Sequence, residues 1–216
     1  WNEIGKPIKG YKVIEGIRYR NVIRGYELTI DDEDVEENGI FAISIVDFPA
    51  IEKNFIALSK EKKQVSMAAV DDDQHLLIGA ALIPNKMILR LDEDDAPYYI
   101  HFSKDTIKRA AYRFLKNNMT HNHTLQHDEQ IKGLYVVESW IVSDPANDKS
   151  ASLGLDVPKG TWMVAIKVDN EDIWNKQIKT GEVKGFSIEA YFDEKLRAIN
   201  KDVLISKAVQ AAKEII

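Results

Sequence analysis

The chain has 216 residues, 44% hydrophobic and 30% charged, with a formal charge of -6, enough for one large or two small packed domains. That balance gives no reason to expect a nucleic-acid partner, which needs a concentrated basic surface, and no run of about eighteen apolar residues offers a membrane-spanning helix. The absence of cysteine removes disulfides, thiolate zinc sites and a cysteine nucleophile together, and fits an intracellular protein.

No signal-peptide pattern opens the chain. It starts at Trp1, so a trimmed form or a piece of a longer product is expected. Residues 1–30 hold short alternating runs (11–14, 17–22 and 26–30) broken by Gly10, Gly16 and Gly25, which predict small strands or an extended arm. The acidic run at 31–37 lacks the glycine and ligand spacing of a hard-cation loop and reads as a solvated loop. Residues 40–48 predict a strand ending at Pro49. Residues 61–64 form a charged linker, and residues 71–73 a polar break between the apolar runs 65–70 and 76–83. A short strand at 87–91 and a turn at 92–97 lead into a strand at 98–102.

Residues 104–117 predict a helix with Ser103 as its N-cap. Ile107, Ala110, Ala111, Phe114 and Leu115 form its apolar stripe, and Lys104, Lys108, Arg109, Arg113 and Lys116 a solvated face. Directly after it, THNHTLQHDE gathers His121, His123 and His127. On an ideal strand all three share a face, with His121 and His123 roughly 6.6 Å apart along it. Three readings follow: a polar strand edge with incidental histidines, a zinc site with imidazole ligands, or a general base for a serine nucleophile. On the residues alone they rank in that order.

Residues 134–142 predict a strand whose even positions are Leu134, Val136, Glu138, Trp140 and Val142. Residues 144–154 read as a surface loop and 161–168 as a strand. In NEDIWNKQIKTGEVKGFSIEAYF (170–192), Asn170 caps a short helix with Ile173, Trp174 and Ile178 on its apolar side, and Gly181 ends it. The period then changes to two. Phe186, Ile188, Ala190 and Phe192 point one way and Ser187, Glu189 and Tyr191 the other. On this pattern alone Ser187 is a half-exposed strand residue. GFSIE is not a nucleophile elbow, because Glu189 stands where the final glycine belongs and the period-two run continues instead of turning into a helix.

GEVKGFSIEAYF resembles the serine segment of tailed-phage prohead (capsid maturation) proteases, in particular the XkdF-like phage serine proteases, which are related to the herpesvirus assemblins. ESWIVSDPANDKSASLG (138–154), PKGTWMVAIKV (158–168) and GIFAISIVDFPAIEKNFIALSK (39–60) are similar to the same group, so the resemblance covers most of 39–192. It implies a serine endopeptidase without cofactor or metal, with Ser187 as nucleophile and His127, in TLQHDEQIKG, as general base and acid. It also implies phage scaffold and capsid proteins as substrates, cleaved inside the assembling prohead in the host cytoplasm. In the assemblins the third member is a second histidine after the serine, and this chain has none after His127. Glu138 is the first candidate for that place, because a carboxylate between Val136 and Trp140 is costly to bury without a partner. His123 is the second and Asp128 the third.

The expected fold is α+β, a mainly antiparallel barrel of the assemblin type with a few peripheral helices. An N-terminal arm (1–30), a barrel domain (31–192) and a C-terminal tail with helical tendency (193–216) make up the chain, the tail packing on the barrel, mediating homo-oligomer formation or leading into a longer product. Two other readings stay open: a metal-dependent hydrolase using His121, His123 and His127, and a catalytically silent structural protein of the phage head.

Overall fold

A computed structural model of the chain describes residues 11–14, 17–20, 24–30, 39–51, 56–58, 74–91 and 97–196. The features read at 31–37, 61–73, 92–96 and 197–216 lie outside these residues. Where the sequence alternates, strands form: β1 (Tyr11–Ile14), β2 (Ile17–Arg20), β3 (Arg24–Thr29), β4 (Gly39–Val46), β5 (Ile56–Leu58), β6 (Leu76–Leu82), β7 (Ile88–Leu91) and β8 (Pro97–Phe102). Helix α1 (Lys104–Lys116) follows, then a 3-10 turn (Met119–His121), β9 (His123–Leu125), β10 (Glu129–Ile131) and β11 (Leu134–Ile141). Helix α2 (Lys149–Ser152), β12 (Trp162–Val168), α3 (Glu171–Ile173) with a π-helical continuation (Trp174–Ile178), β13 (Gly185–Tyr191) and β14 (Asp193–Leu196) complete the series.

The chain divides into two units, one of residues 1–27, 87–101 and 194–216, the other of residues 28–86 and 102–193. The first holds the β1–β2 hairpin and most of a four-stranded sheet in the order β14-β3-β8-β7. In it Ile88 pairs with Ile100 and Leu91 with Pro97, and Tyr26 meets Tyr98 edge to face at 5.6 Å.

The second unit contains two further sheets, ordered β10-β9-β4-β13 and β11-β12-β6-β5, and β13 of one lies against β6 of the other. Strand β12 is buried on both faces, with Trp162, Met163, Val164, Ala165 and Ile166 wholly inaccessible. In β4, both Ile43 and Ile45 on one face and Ser44 on the other are buried. Helix α1 packs on β4 and β12. Its buried stripe is Ile107, Ala110, Ala111 and Phe114, each large side chain contributing about 1.5–3 kcal/mol, and Phe114 meets Trp162 at 5.4 Å. Ser103 caps it, accepting from the Thr106 N–H at 3.3 Å. Leu115, expected in the stripe, is 39% exposed at the last turn.

The parallel pairing of β4 with β9 requires a crossover, and α1 is part of it. That crossover brings the segment after α1 beside β4, while β13 pairs antiparallel on the other side.

The α+β class holds. The closed barrel does not: among the described residues the strands form separate open sheets. Residues 193–196, expected to begin a helical tail, form β14 and pair with β3. Residues 87–101 fall in the same unit as β1 and β2.

Candidate active site

The serine segment forms a strand as its periodicity predicts, but Ser187, expected half-exposed, is buried, and the register to β4 shifts between Glu189 and Ala190. Asn170 caps α3, its Oδ1 accepting from the Ile173 N–H at 3.1 Å, and Gly181, at φ 76°, ends the helical stretch in the left-handed conformation that favours glycine. Strand β13 then turns Phe186 into the core at 1% exposure, which sends Ser187 and Glu189 to the opposite face about 6.8 Å apart.

Ser187 pairs with Ser44 of β4, and Ser44 pairs with Thr124 of β9. Three hydroxyl side chains therefore stand in one row across three strands. Above this row Glu189 reaches across β4. Its Oε1 accepts from the Thr124 hydroxyl and lies 3.3 Å from His127 Nδ1. A carboxylate only accepts, so the Nδ1 proton points at Glu189 and Nε2 is left as the basic nitrogen. The His127 side chain is 42% exposed and that of Glu189 only 19%, so the ring is open to a substrate while the carboxylate is shielded. Ser187 itself is 9% exposed, and its hydroxyl makes no hydrogen bond among the described residues. Catalytic contacts of this kind often close only in the substrate complex.

His127 is not on a strand. It follows Gln126 in the turn between β9 and β10, with φ values of 53° at Gln126 and 63° at His127 and a closing bond from the Asp128 N–H to the Leu125 carbonyl at 3.0 Å. Two successive left-handed residues match the twist of a tight hairpin, but non-glycine side chains there store strain of order 1 kcal/mol or more each. The turn is clipped to β4 at two points and to the residue after it at a third: the Gln126 N–H on the Ile45 carbonyl at 3.0 Å, the His127 N–H on Ser44 Oγ at 3.0 Å, and the Asp47 N–H on Gln126 Oε1 at 3.2 Å.

The three histidines do not converge. His121 ends the 3-10 turn, its ring tilted against that of Tyr135 with centroids 5.6 Å apart. His123 faces the core with no exposure, its Nδ1 3.1 Å from the Ile43 carbonyl and its Nε2 3.1 Å from the Thr120 carbonyl. Burial pushes its imidazole below the usual range, against the opposing pull of those two carbonyls. The shared parity expected for the three fails because only His123–Leu125 is strand, with a 3-10 turn before it and a left-handed turn after it. Among the described residues no three potential ligands are placed to hold a metal ion.

Glu138, expected to orient the histidine, instead pairs with Lys149 at the surface. A register shift between Val136 and Glu138 inserts Val137 as an extra residue and breaks the alternation that would have buried the carboxylate. His123 lies on the opposite face of β9 from Thr124, and Asp128 closes the turn through its backbone. The carboxylate that meets His127 is Glu189. Its signal was in the sequence, two residues after Ser187 on the same face. Ser44 and Thr124 had no comparable signal, since only the pairing of β9, β4 and β13 aligns them.

Residues 64–195, more than half of the chain, match the family described as "Putative phage serine protease XkdF". The match includes His127, Glu138, Ser187 and Glu189 and begins after Ser44. No curated protein and no solved structure matches the chain.

Proposed function

Because the chain belongs to the XkdF family of phage serine proteases, we propose that it is a serine endopeptidase with Ser187 as nucleophile, His127 as general base and acid, and Glu189 as the residue that orients His127. The observation that carries this reading is the His127 Nδ1–Glu189 contact on the face of Ser187's own strand. His127 Nε2 takes the hydroxyl proton as Ser187 Oγ attacks the scissile carbonyl carbon. The tetrahedral intermediate then expels the amine, which leaves with the proton from Nε2. A water molecule repeats the sequence on the acyl-enzyme: His127 takes its proton, the acid product departs, and Ser187 recovers its hydrogen. Throughout, the proton on Nδ1 stays in its bond to Glu189, which stabilises the imidazolium formed at each half-reaction.

The substrates in this reading are phage scaffold and capsid proteins, cleaved during head maturation inside the assembling prohead in the host cytoplasm. This part rests on the likeness of VKGFSIE, ESWIV and PKGTW to prohead proteases. Labelling with a fluorophosphonate serine-hydrolase probe tests the chemistry. The native chain takes the label, and Ser187→Ala and His127→Ala abolish it. A native chain that resists the probe while its fold is intact points to the silent structural protein instead.

A further inference from the structure

The hydroxyl of Ser44 has no counterpart in a serine–histidine–carboxylate set, yet it is wholly buried on the residue directly opposite Ser187. Its Oγ accepts from the His127 backbone N–H at 3.0 Å and donates to the Thr124 carbonyl at 3.3 Å. Both neighbours belong to the site, since Thr124 donates through its own hydroxyl to Glu189.

We infer that Ser44 is a positioning residue for the reaction: its hydroxyl locks the left-handed His127 over the row that holds Ser187. The inference rests on the proposed Ser187–His127 chemistry. The physical argument is one of strain and anchorage. A histidine at φ 63° persists only where its surroundings over-determine it. The closing bond from the Asp128 N–H to the Leu125 carbonyl holds the ends of the turn, and Glu189 holds the ring. Neither engages the His127 peptide N–H itself, and rotation of that peptide would swing the imidazole away from Ser187. Of the three clips, the two through Gln126 hold the first left-handed residue. Only Ser44 holds the second, the one that carries the base. A cross-strand pair also sets Ser44 and Ser187 Cβ atoms about 5 Å apart, so the clip lies beside the nucleophile. The sequence does not advertise this role, because only the pairing of β4 with β9 and β13 brings Ser44 to the site.

The test compares the native chain with Ser44→Ala and Ser44→Cys, the sulfur being a weaker acceptor of similar shape. Two readouts are taken well below the melting temperature: the rate constant of fluorophosphonate labelling, separated from probe affinity, and the nitrogen-15 signal of the His127 Nδ1–H. Ser44→Ala is expected to lower the labelling rate constant about 10–100-fold, the scale of a displacement near 1 Å, with probe affinity unchanged. It should also broaden the Nδ1–H signal or remove it, with Ser44→Cys intermediate. A native rate constant and an intact Nδ1–H in folded Ser44→Ala overturn the inference, and the same result in Ser44→Cys does so if the alanine variant does not fold. If the native chain itself does not label, the protease reading falls. The Nδ1–H signal then still decides whether Ser44 fixes the ring.

Discussion

Glu189 illustrates how one side chain is placed by three strands. It leaves β13 on the Ser187 face, crosses β4 and ends between the Thr124 hydroxyl and the His127 ring. In the proposed mechanism its charge offsets the imidazolium, and its geometry selects the tautomer with a basic Nε2. Glu189→Gln keeps the shape but can present an amide N–H to Nδ1, favouring the wrong tautomer. The expected loss in labelling rate is about 10²–10⁴-fold, with probe affinity little changed. An undiminished rate would remove Glu189 from the mechanism. His123 carries a second prediction at this scale. Burial holds its imidazole below the usual range in the folded chain, so the unfolded chain takes up a proton first as pH falls. The stability contributed by the neutral ring is full above about pH 6.5 and declines below it. Denaturant midpoints measured from pH 8 to pH 5 should therefore fall in the native chain and fall less steeply in His123→Gln. Parallel curves would assign that pH dependence to other groups. Legibility at this scale was uneven. Ser187 and Glu189 shared a face in the period-two pattern, whereas Glu138 was misplaced because Val137, one extra residue in β11, reverses the parity beyond it.

Elements that carry their own end signals were legible. Ser103 before α1 and Asn170 before α3 act as caps, since a short side-chain oxygen can satisfy an orphan N–H of the first turn. Ser103→Ala should cost about 1 kcal/mol in a urea titration, and a change within error would show that tertiary packing alone holds the helix start. The β9–β10 turn was not legible. Its two left-handed positions are Gln126 and His127, neither of which is a turn-forming glycine or asparagine. Such a conformation is dictated from outside, by the carbonyl of Ile45 and the hydroxyl of Ser44 on β4, residues some eighty positions earlier in the chain. For the same reason the histidine cluster looked like one strand face in sequence and became a 3-10 turn, a strand and a hairpin turn in space.

At the scale of the molecule, Ser44, Thr124, His127, Ser187 and Glu189 all fall in the second unit, although they come from both sides of residues 87–101. The sequence carried no sign of that interruption, because strands of both units share the same alternating pattern and only long-range pairing sorts them. The division has an energetic consequence. Trp162 is wholly buried at the centre of the second unit, donates from Nε1 to Ser139 Oγ at 2.8 Å and packs on Phe114 of α1. Trp162→Ala should cost about 3–5 kcal/mol, a large part of a typical domain's stability, and the loss of the fold should carry labelling of Ser187 down with it. Tyr98→Ala acts elsewhere. It removes the edge-to-face contact with Tyr26 in the first unit, worth about 0.5–1.5 kcal/mol beyond area. Its effect should appear as faster amide exchange in β3 and β8, with the labelling rate within about threefold of native. Local opening of one cooperative unit can leave another intact. If Tyr98→Ala instead suppresses labelling as strongly as Trp162→Ala, the two units fold and open together, and the site depends on the whole chain.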